Sequence, residues 1–405
     1  MNIRIKPSVA RGSVAAPPSK SMAHRVLICA AMARGTSRLS GVSRCEDALA
    51  TVDCLRALGA ICTWDGDDVT VTGADFSRPP EGDLTLPCRE SGSTLRFMLP
   101  LSLLSGRAVT LTGAASLFRR PMAVYEEICH ERSLDFCAEG NRITVKGPLT
   151  AGVYTLPGDV SSQFVSGLLF ALALTKGESE IRILPPVESR SYILLTLSAL
   201  KTFGARVDWK DETTLRIMGR EALDARDCEV EGDYSNAAFL EAFNLLGGKV
   251  QVDNLDPASL QGDRVYRDCF AKLAQGYAKL SLADCPDLAP ILFSLAAAKS
   301  GGRFTDTRRL KIKESDRAEV MAQELRKFGA TVHVLDNSVE ILPTAFHAPT
   351  EPLQGHNDHR VVMSMAVLSS ITGGEIHGAE AVAKSFPDFF ERIRSVGIQF
   401  EETQQ

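Results

Sequence analysis

A chain of 405 residues with a net charge of −5 and 44% hydrophobic content is too long for one ordinary core and reads as a two-domain globular protein. The acidic balance excludes a nucleic-acid or membrane surface as principal partner, and the longest apolar run, residues 164–174, is too short to cross a bilayer. Ten cysteines, scattered without a C-x-x-C pair or zinc spacing, imply reduced and mostly buried thiols in the cytosol.

Residues 1–6 alternate like a strand and lack the apolar block of a signal peptide. Pro17 and Pro18 keep the following segment extended. The octapeptide Pro18-Ser19-Lys20-Ser21-Met22-Ala23-His24-Arg25 then opens an Ala-rich run, residues 26–33, that reads as a helix. A serine there can cap, free N–H groups favour an anion, and Ser21 and Arg25 share one face. With Lys20 they form a cradle for phosphate or carboxylate; capping and stray surface charge are the plainer alternative.

An internal repeat follows. Leu55-Arg56-Ala57-Leu58-Gly59-Ala60 ends a helix and leads through residues 61–64 and an acidic turn to residues 68–73. The same order recurs after Leu200-Lys201-Thr202-Phe203-Gly204-Ala205 and after Leu325-Arg326-Lys327-Phe328-Gly329-Ala330. Each glycine fits a helix C′ position and each following alternation a hairpin. Weaker echoes near residues 125–145, 266–282 and 389–400 bring the expected units to six. Apolar runs at 164–174, 237–246, 291–298 and 361–370 suit buried helices, so helices inside and sheets outside are expected, with a division near residue 232.

The chemistry-bearing segments come in between. Glu90-Ser91-Gly92-Ser93-Thr94-Leu95-Arg96 opens another helix, where Gly92 lets a ligand approach the backbone. Arg119-Arg120-Pro121 sets two guanidinium groups before a proline, and Ser161-Ser162-Gln163 and Ser189-Arg190-Ser191-Tyr192 offer hydroxyls at helix starts. Cys285-Pro286-Asp287-Leu288 sets a carboxylate just before a helix, where capping is the plainer reading of a lone aspartate. In Lys311-Ile312-Lys313-Glu314-Ser315-Asp316-Arg317 the spacing places Lys313 and Arg317 on one helical face, with Glu314 a turn before Arg317; a solvated ion pair is the plainer reading. His356-Asn357-Asp358-His359-Arg360 invites a metal, but no third ligand presents itself and Arg360 would repel a cation. Lys384 adds a cation at a turn. Lys20, Arg25, Arg120, Lys313, Arg317, Arg360 and Lys384 thus gather at turn–helix junctions, which suits two anionic substrates or one with several charges. No P-loop or G-x-G-x-x-G is present, so nucleotide binding is disfavoured; neither a cofactor nor a metal is expected.

The order SKSMAHR, ESGSTLR, RRP, SSQF, SRSY, EGDYS, PDL, KIKESDR, NDHR and AKSFPDFF resembles the enolpyruvyl transferase family along the whole chain, and within it the branch acting on shikimate 3-phosphate. The resemblance implies an α/β fold of two inverse domains, each of three βαβαββ units with internal helices and outer sheets. Residues 19–231 would form an inserted domain, residues 1–18 plus 232–405 the other, with the active site in the interdomain cleft. It implies Lys20, Ser21, Arg25, Ser161, Ser162, Gln163, Ser189, Asp287 and Lys313 for shikimate 3-phosphate, and Lys20, Gly92, Arg120, Gln163, Arg317, Arg360 and Lys384 for phosphoenolpyruvate. The implied reaction moves the enolpyruvyl group to the 5-hydroxyl and releases phosphate, a step of aromatic amino-acid biosynthesis. Asp287 and Glu314, the motif carboxylates beside the cations, take the proton-transfer roles.

Three positions depart from the family pattern. Glu90 and Arg309 stand where asparagine is usual, and Ser191 where proline is common. The nearest rival is the same-fold UDP-N-acetylglucosamine transferase, typically marked by a Lys-Asn start and a loop cysteine; here Ser21 follows Lys20, and no cysteine adjoins Arg119-Arg120. A catalytically silent phosphoester-binding protein is the rival of another class, and Asp287 with Glu314 speaks against it. The expectation is a cytoplasmic monomer that closes on its substrates, since clustered cations repel one another until anions arrive.

Overall fold

The computed structural model describes residues 1–403. It divides into two compact units, Met1–Pro17 with the chain from Gly232, and Pro18–Glu231 between them. Pro18 thus belongs to the inner segment.

Within the unit of residues 18–231 one supersecondary pattern occurs three times. Leu84–Pro87, the helix Gly92–Ser102, Ala108–Thr112, the helix Ala123–Glu131 and the hairpin Asp135–Glu139/Arg142–Lys146 form one βαβαββ unit. Its first two strands pair in parallel, Leu84 opposite Val109, and the remaining pairs are antiparallel. Residues from Val153–Pro157 to Thr214–Gly219 repeat the pattern. The third unit begins at the helix Lys20–Ala31 and has no strand before it. Cys228–Glu229, from the far end of the segment, pairs in parallel with Thr36–Ser40 and supplies it.

The inner helices Lys20–Ala31, Gly92–Ser102 and Ser162–Leu172 are buried on nearly every side, as their predominantly apolar sequences require. Phe97 meets Phe170 edge-on with centroids 5.5 Å apart. The repeat glycines Gly59, Gly204 and Gly329 adopt φ of 105°, 82° and 87°, the left-handed turn that ends each helix and starts each hairpin.

In the other unit, Ala278–Ser281 to Ser338–Leu342 forms a complete βαβαββ sheet. The next, built on Leu353–Gln354, Gly374–His377 and Phe400–Thr403, takes its fourth strand from the start of the chain. Asn2–Ile5 inserts antiparallel to both Gly374–His377 and Phe400–Thr403. The remaining unit is abbreviated to a parallel pair, Arg11–Ala15 with Lys249–Asp253. The hairpin expected near residues 266–282 does not form. After the helix Tyr266–Gln275, the strand Ala278–Ser281 opens the next sheet instead, because turn chemistry through Asp284 and Pro286 leaves no second alternating run to pair with it.

No helix among the described residues is long and apolar enough to cross a membrane. All ten cysteines are free, with Cys137 exposed, Cys228 partly so and the rest buried. Burial pushes the Cys45 and Cys62 thiols up to about 11, which makes them inert.

Candidate active site

The helix Lys20–Ala31 starts at Lys20, ahead of the apolar run. Capping falls to Ser19 and not Ser21: the fully buried Ser19 Oγ accepts from the Met22 amide at 3.3 Å. Lys20 Nζ lies 2.7 Å from Asp47 Oδ2, on the helix Glu46–Ala57. Arg25 is 3% exposed. Its Nε donates to Thr196 Oγ1 at 2.9 Å, Nη1 to the Ser21 carbonyl at 2.6 Å and Nη2 to the Tyr192 carbonyl at 2.9 Å. Every one of these acceptors is neutral, and burial drives the guanidinium down to about 10. A cation fixed in this way lacks the counter-charge that buried ions need, which is a demand an anion can meet. His24 beside it stays neutral, since burial, Lys20 and Arg25 all hold its pKa well below the usual histidine range.

Gly92 opens the second inner helix behind the Ser91 cap, whose Oγ accepts from the Thr94 amide at 3.2 Å. A Cβ on Gly92 would meet Arg120 Nη1 at 2.7 Å and Arg96 Nη1 at 3.4 Å, so the glycine makes room for two guanidinium groups. Arg96 Nη1 donates to Gln163 Oε1 at 2.7 Å, and Gln163 Nε2 to Ser93 Oγ at 2.9 Å. Gly92, Arg120 and Gln163, expected together, are therefore neighbours. Gln163 follows Ser162 in the first turn of Ser162–Leu172, where Ser161 Oγ accepts from the Gln163 amide at 3.3 Å. Ser189 is buried and holds a left-handed φ of 54° at the start of Arg190–Thr202, the helix that supplies Tyr192 and Thr196 to Arg25. Strain of that kind is held in place by its surroundings and is concentrated at functional sites.

The second group lies in the other unit and is built around Asp287. Lys313 Nζ stands 3.1 Å and Arg317 Nη1 2.8 Å from Asp287 Oδ1, with Arg360 Nη2 3.2 Å from Oδ2. Burial raises the pKa of Asp287, but Arg360, Lys313 and Arg317 outweigh it and hold the carboxyl well below its usual range. Arg317, 1% exposed, also reaches Glu314 Oε2 at 2.6 Å and Asp358 Oδ2 at 2.8 Å. Burial opposes its charge, yet Asp358, Glu314 and Asp287 raise its pKa above the usual arginine value. Lys313 is lowered, by burial first, against the pull of Asp287. Lys384 Nζ donates to the Asn357 carbonyl at 2.7 Å.

Three sequence expectations need correction. Lys313 and Arg317 do not share a helical face: Lys313 is extended at the end of the 3-10 helix Arg308–Ile312, and Arg317 is the first residue of Arg317–Lys327, capped by Asp316. The Glu314–Arg317 pair forms, but buried and not solvated. Asp287 sits inside the 3-10 helix Pro286–Leu288, whose cap position belongs to Cys285. Asp47, Arg96, Thr196 and Asp358 were not anticipated. Arg96 and Asp358 lie within the ESGSTLR and NDHR motifs, where charge beside a helix start was the available signal; Asp47 and Thr196 carry none. Of the departures, Arg309 is buried with Nη2 on the Ala283 carbonyl.

The sequence model of the family described as EPSP synthase (3-phosphoshikimate 1-carboxyvinyltransferase) matches residues 5–393. The 3-phosphoshikimate 1-carboxyvinyltransferase of Clostridium kluyveri is 36% identical, over 99% of this chain and 98% of that one. The same-named protein of Clostridium perfringens strain 13 is 35% identical over 97% of each. Among solved structures, an EPSP synthase from Acinetobacter baumannii superposes with a TM-score of 0.79 at 24% identity, covering 100% of both chains. That likeness extends to the fold of two inverse α/β domains.

Proposed function

The chain belongs to the EPSP synthase (3-phosphoshikimate 1-carboxyvinyltransferase) family, and from that premise we propose how its residues carry out the family's reaction. The enzyme transfers the enolpyruvyl group of phosphoenolpyruvate to the 5-hydroxyl of shikimate 3-phosphate, releasing phosphate, in aromatic amino-acid biosynthesis. Lys20, Ser21, Arg25, Ser161, Ser162, Gln163 and Ser189 hold shikimate 3-phosphate, joined by Asp287 and Lys313. Lys20, Gly92, Arg120, Gln163, Arg317, Arg360 and Lys384 hold phosphoenolpyruvate. The two sets draw on residues of both units. The protein works as a cytoplasmic monomer.

The observation that carries the chemistry is the trio of cations on Asp287. In the addition step the 5-hydroxyl loses its proton, its oxygen bonds to C2 of phosphoenolpyruvate, and C3 gains a proton to become a methyl group. In the elimination step the methyl returns a proton, the C2–O bond to phosphate breaks, and the double bond re-forms. Asp287, held ionised, accepts the hydroxyl proton. While Lys313, Arg317 and Arg360 face it, it is a weak base; anionic substrates draw those cations away and its pKa rises. Substrate binding thereby activates the base. Glu314, on the same guanidinium of Arg317, makes the complementary transfer, and the cations stabilise charge as phosphate departs.

Acceptor choice tests the assignment. With phosphoenolpyruvate present, shikimate 3-phosphate should support phosphate release and UDP-N-acetylglucosamine should not. Equal turnover on the two acceptors would transfer the chain to the rival branch.

A further inference from the structure

Behind the Asp287 cluster lies a buried carboxylate to which the reaction gives no role. Glu324, in the helix Arg317–Lys327, is 1% exposed. It accepts from the Gln354 amide at 2.9 Å and from Lys327 Nζ at 2.9 Å, and its Oε1 lies 2.8 Å from His356 Nε2. Two of these partners belong to the segment that leads into the site. There His356 and Asn357 hold left-handed φ of 49° and 52° in succession. Neither is glycine, and two such residues in succession persist only where their surroundings fix them.

What the turn delivers is functional. The Asn357 carbonyl receives Lys384 Nζ. Asp358 accepts from the Arg360 amide at 2.9 Å, capping the helix His359–Thr372, and binds Arg317. Arg360 follows at once. A change of backbone at His356 therefore displaces two cations and the carboxylate that orients a third.

We propose that Glu324 is a positioning residue: by anchoring His356 it holds the left-handed turn that sets Lys384, Asp358 and Arg360 in the anion-binding cluster. The identity of the anion as phosphoenolpyruvate rests on the proposed function; the anchoring does not.

Two substitutions at His356 separate anchoring from backbone preference. Glutamine carries its Nε2 as many bonds from Cα as histidine does, and so keeps the donor to Glu324. Asparagine tolerates the left-handed region well but is too short to reach. In the full chain without substrates, amide exchange at Asp358 and Arg360 should quicken in His356→Asn and stay near native in His356→Gln. In steady state, His356→Asn should raise KM for phosphoenolpyruvate about tenfold with KM for shikimate 3-phosphate unchanged, and His356→Gln should restore it. Native exchange in His356→Asn, or equal impairment in both variants, would overturn the proposal. Faster exchange with unchanged KM would overturn it too, since the turn would then serve structure alone. A wild-type chain with no turnover would defeat the functional reading, while exchange would still decide the anchoring.

Discussion

At Arg25 and Arg317 the chain meets one difficulty, a buried guanidinium, in opposite ways. Arg317 is surrounded by Asp287, Glu314 and Asp358; Arg25 has a hydroxyl and two carbonyls. With its pKa lowered to about 10, charged Arg25 costs the fold roughly 3 kcal/mol, which the proposed phosphate ligand would offset. At Arg317 a ligand must instead compete with carboxylates already in place. Asp287→Asn should therefore leave the binding of inorganic phosphate intact or tighter by calorimetry, because three cations each lose one carboxylate partner, while kcat falls about 10²–10⁴-fold with loss of the base. Unchanged turnover would remove Asp287 from the mechanism. The cations and Asp287 stood out in the sequence because each lies at a turn–helix junction. Asp47 and Thr196 were not, since nothing near them in sequence announces the residue they will meet.

Helix starts do most of the positioning at the level of elements. Ser19, Ser91, Ser161, Asp316 and Asp358 each cap a helix whose first turns carry site residues. The wrong face assigned to Lys313 and Arg317 has the same origin: Asp316 caps, so the helix begins at Arg317 and excludes Lys313. Asp358 combines a cap with a buried ion pair, and its replacement separates the two. Asp358→Asn keeps a capping side chain but removes the carboxylate charge that faces Arg317. The loss should be roughly 3 kcal/mol by urea unfolding, the low end for a broken buried pair because Arg317 retains two carboxylates; a loss below about 0.5 kcal/mol would contradict this. The pH dependence follows from the directions of the shifts. Burial raises the pKa of Asp358, but Arg317 holds it below its usual range, as the cations do for Asp287. Their contribution is complete above the unfolded-state value near pH 4 and is lost as the pH falls through the lower folded values. Stability should hold from neutrality to about pH 4 and drop below it, less steeply in Asp358→Asn.

For the whole molecule, the repeat was visible because its punctuation is chemical: a left-handed glycine, then alternation. What escaped the sequence was closure at a distance. Asn2–Ile5 completes a sheet with Phe400–Thr403, and Cys228–Glu229 one with Thr36–Ser40, pairings that no local pattern records. The abbreviated unit at Arg11–Ala15 escaped for the converse reason, since helix and strand at residues 266–282 imitate the repeat without its second strand. The proposed site residues are likewise split, with one cation group in each unit, and the central claim is that this chain moves an enolpyruvyl group between two substrates. Phosphate release measured with shikimate 3-phosphate alone, phosphoenolpyruvate alone and both together tests that claim most directly. Release with both substrates and with neither alone is the predicted result. Release from phosphoenolpyruvate alone at the same rate, or none with both present, would contradict enolpyruvyl transfer as the activity of this chain.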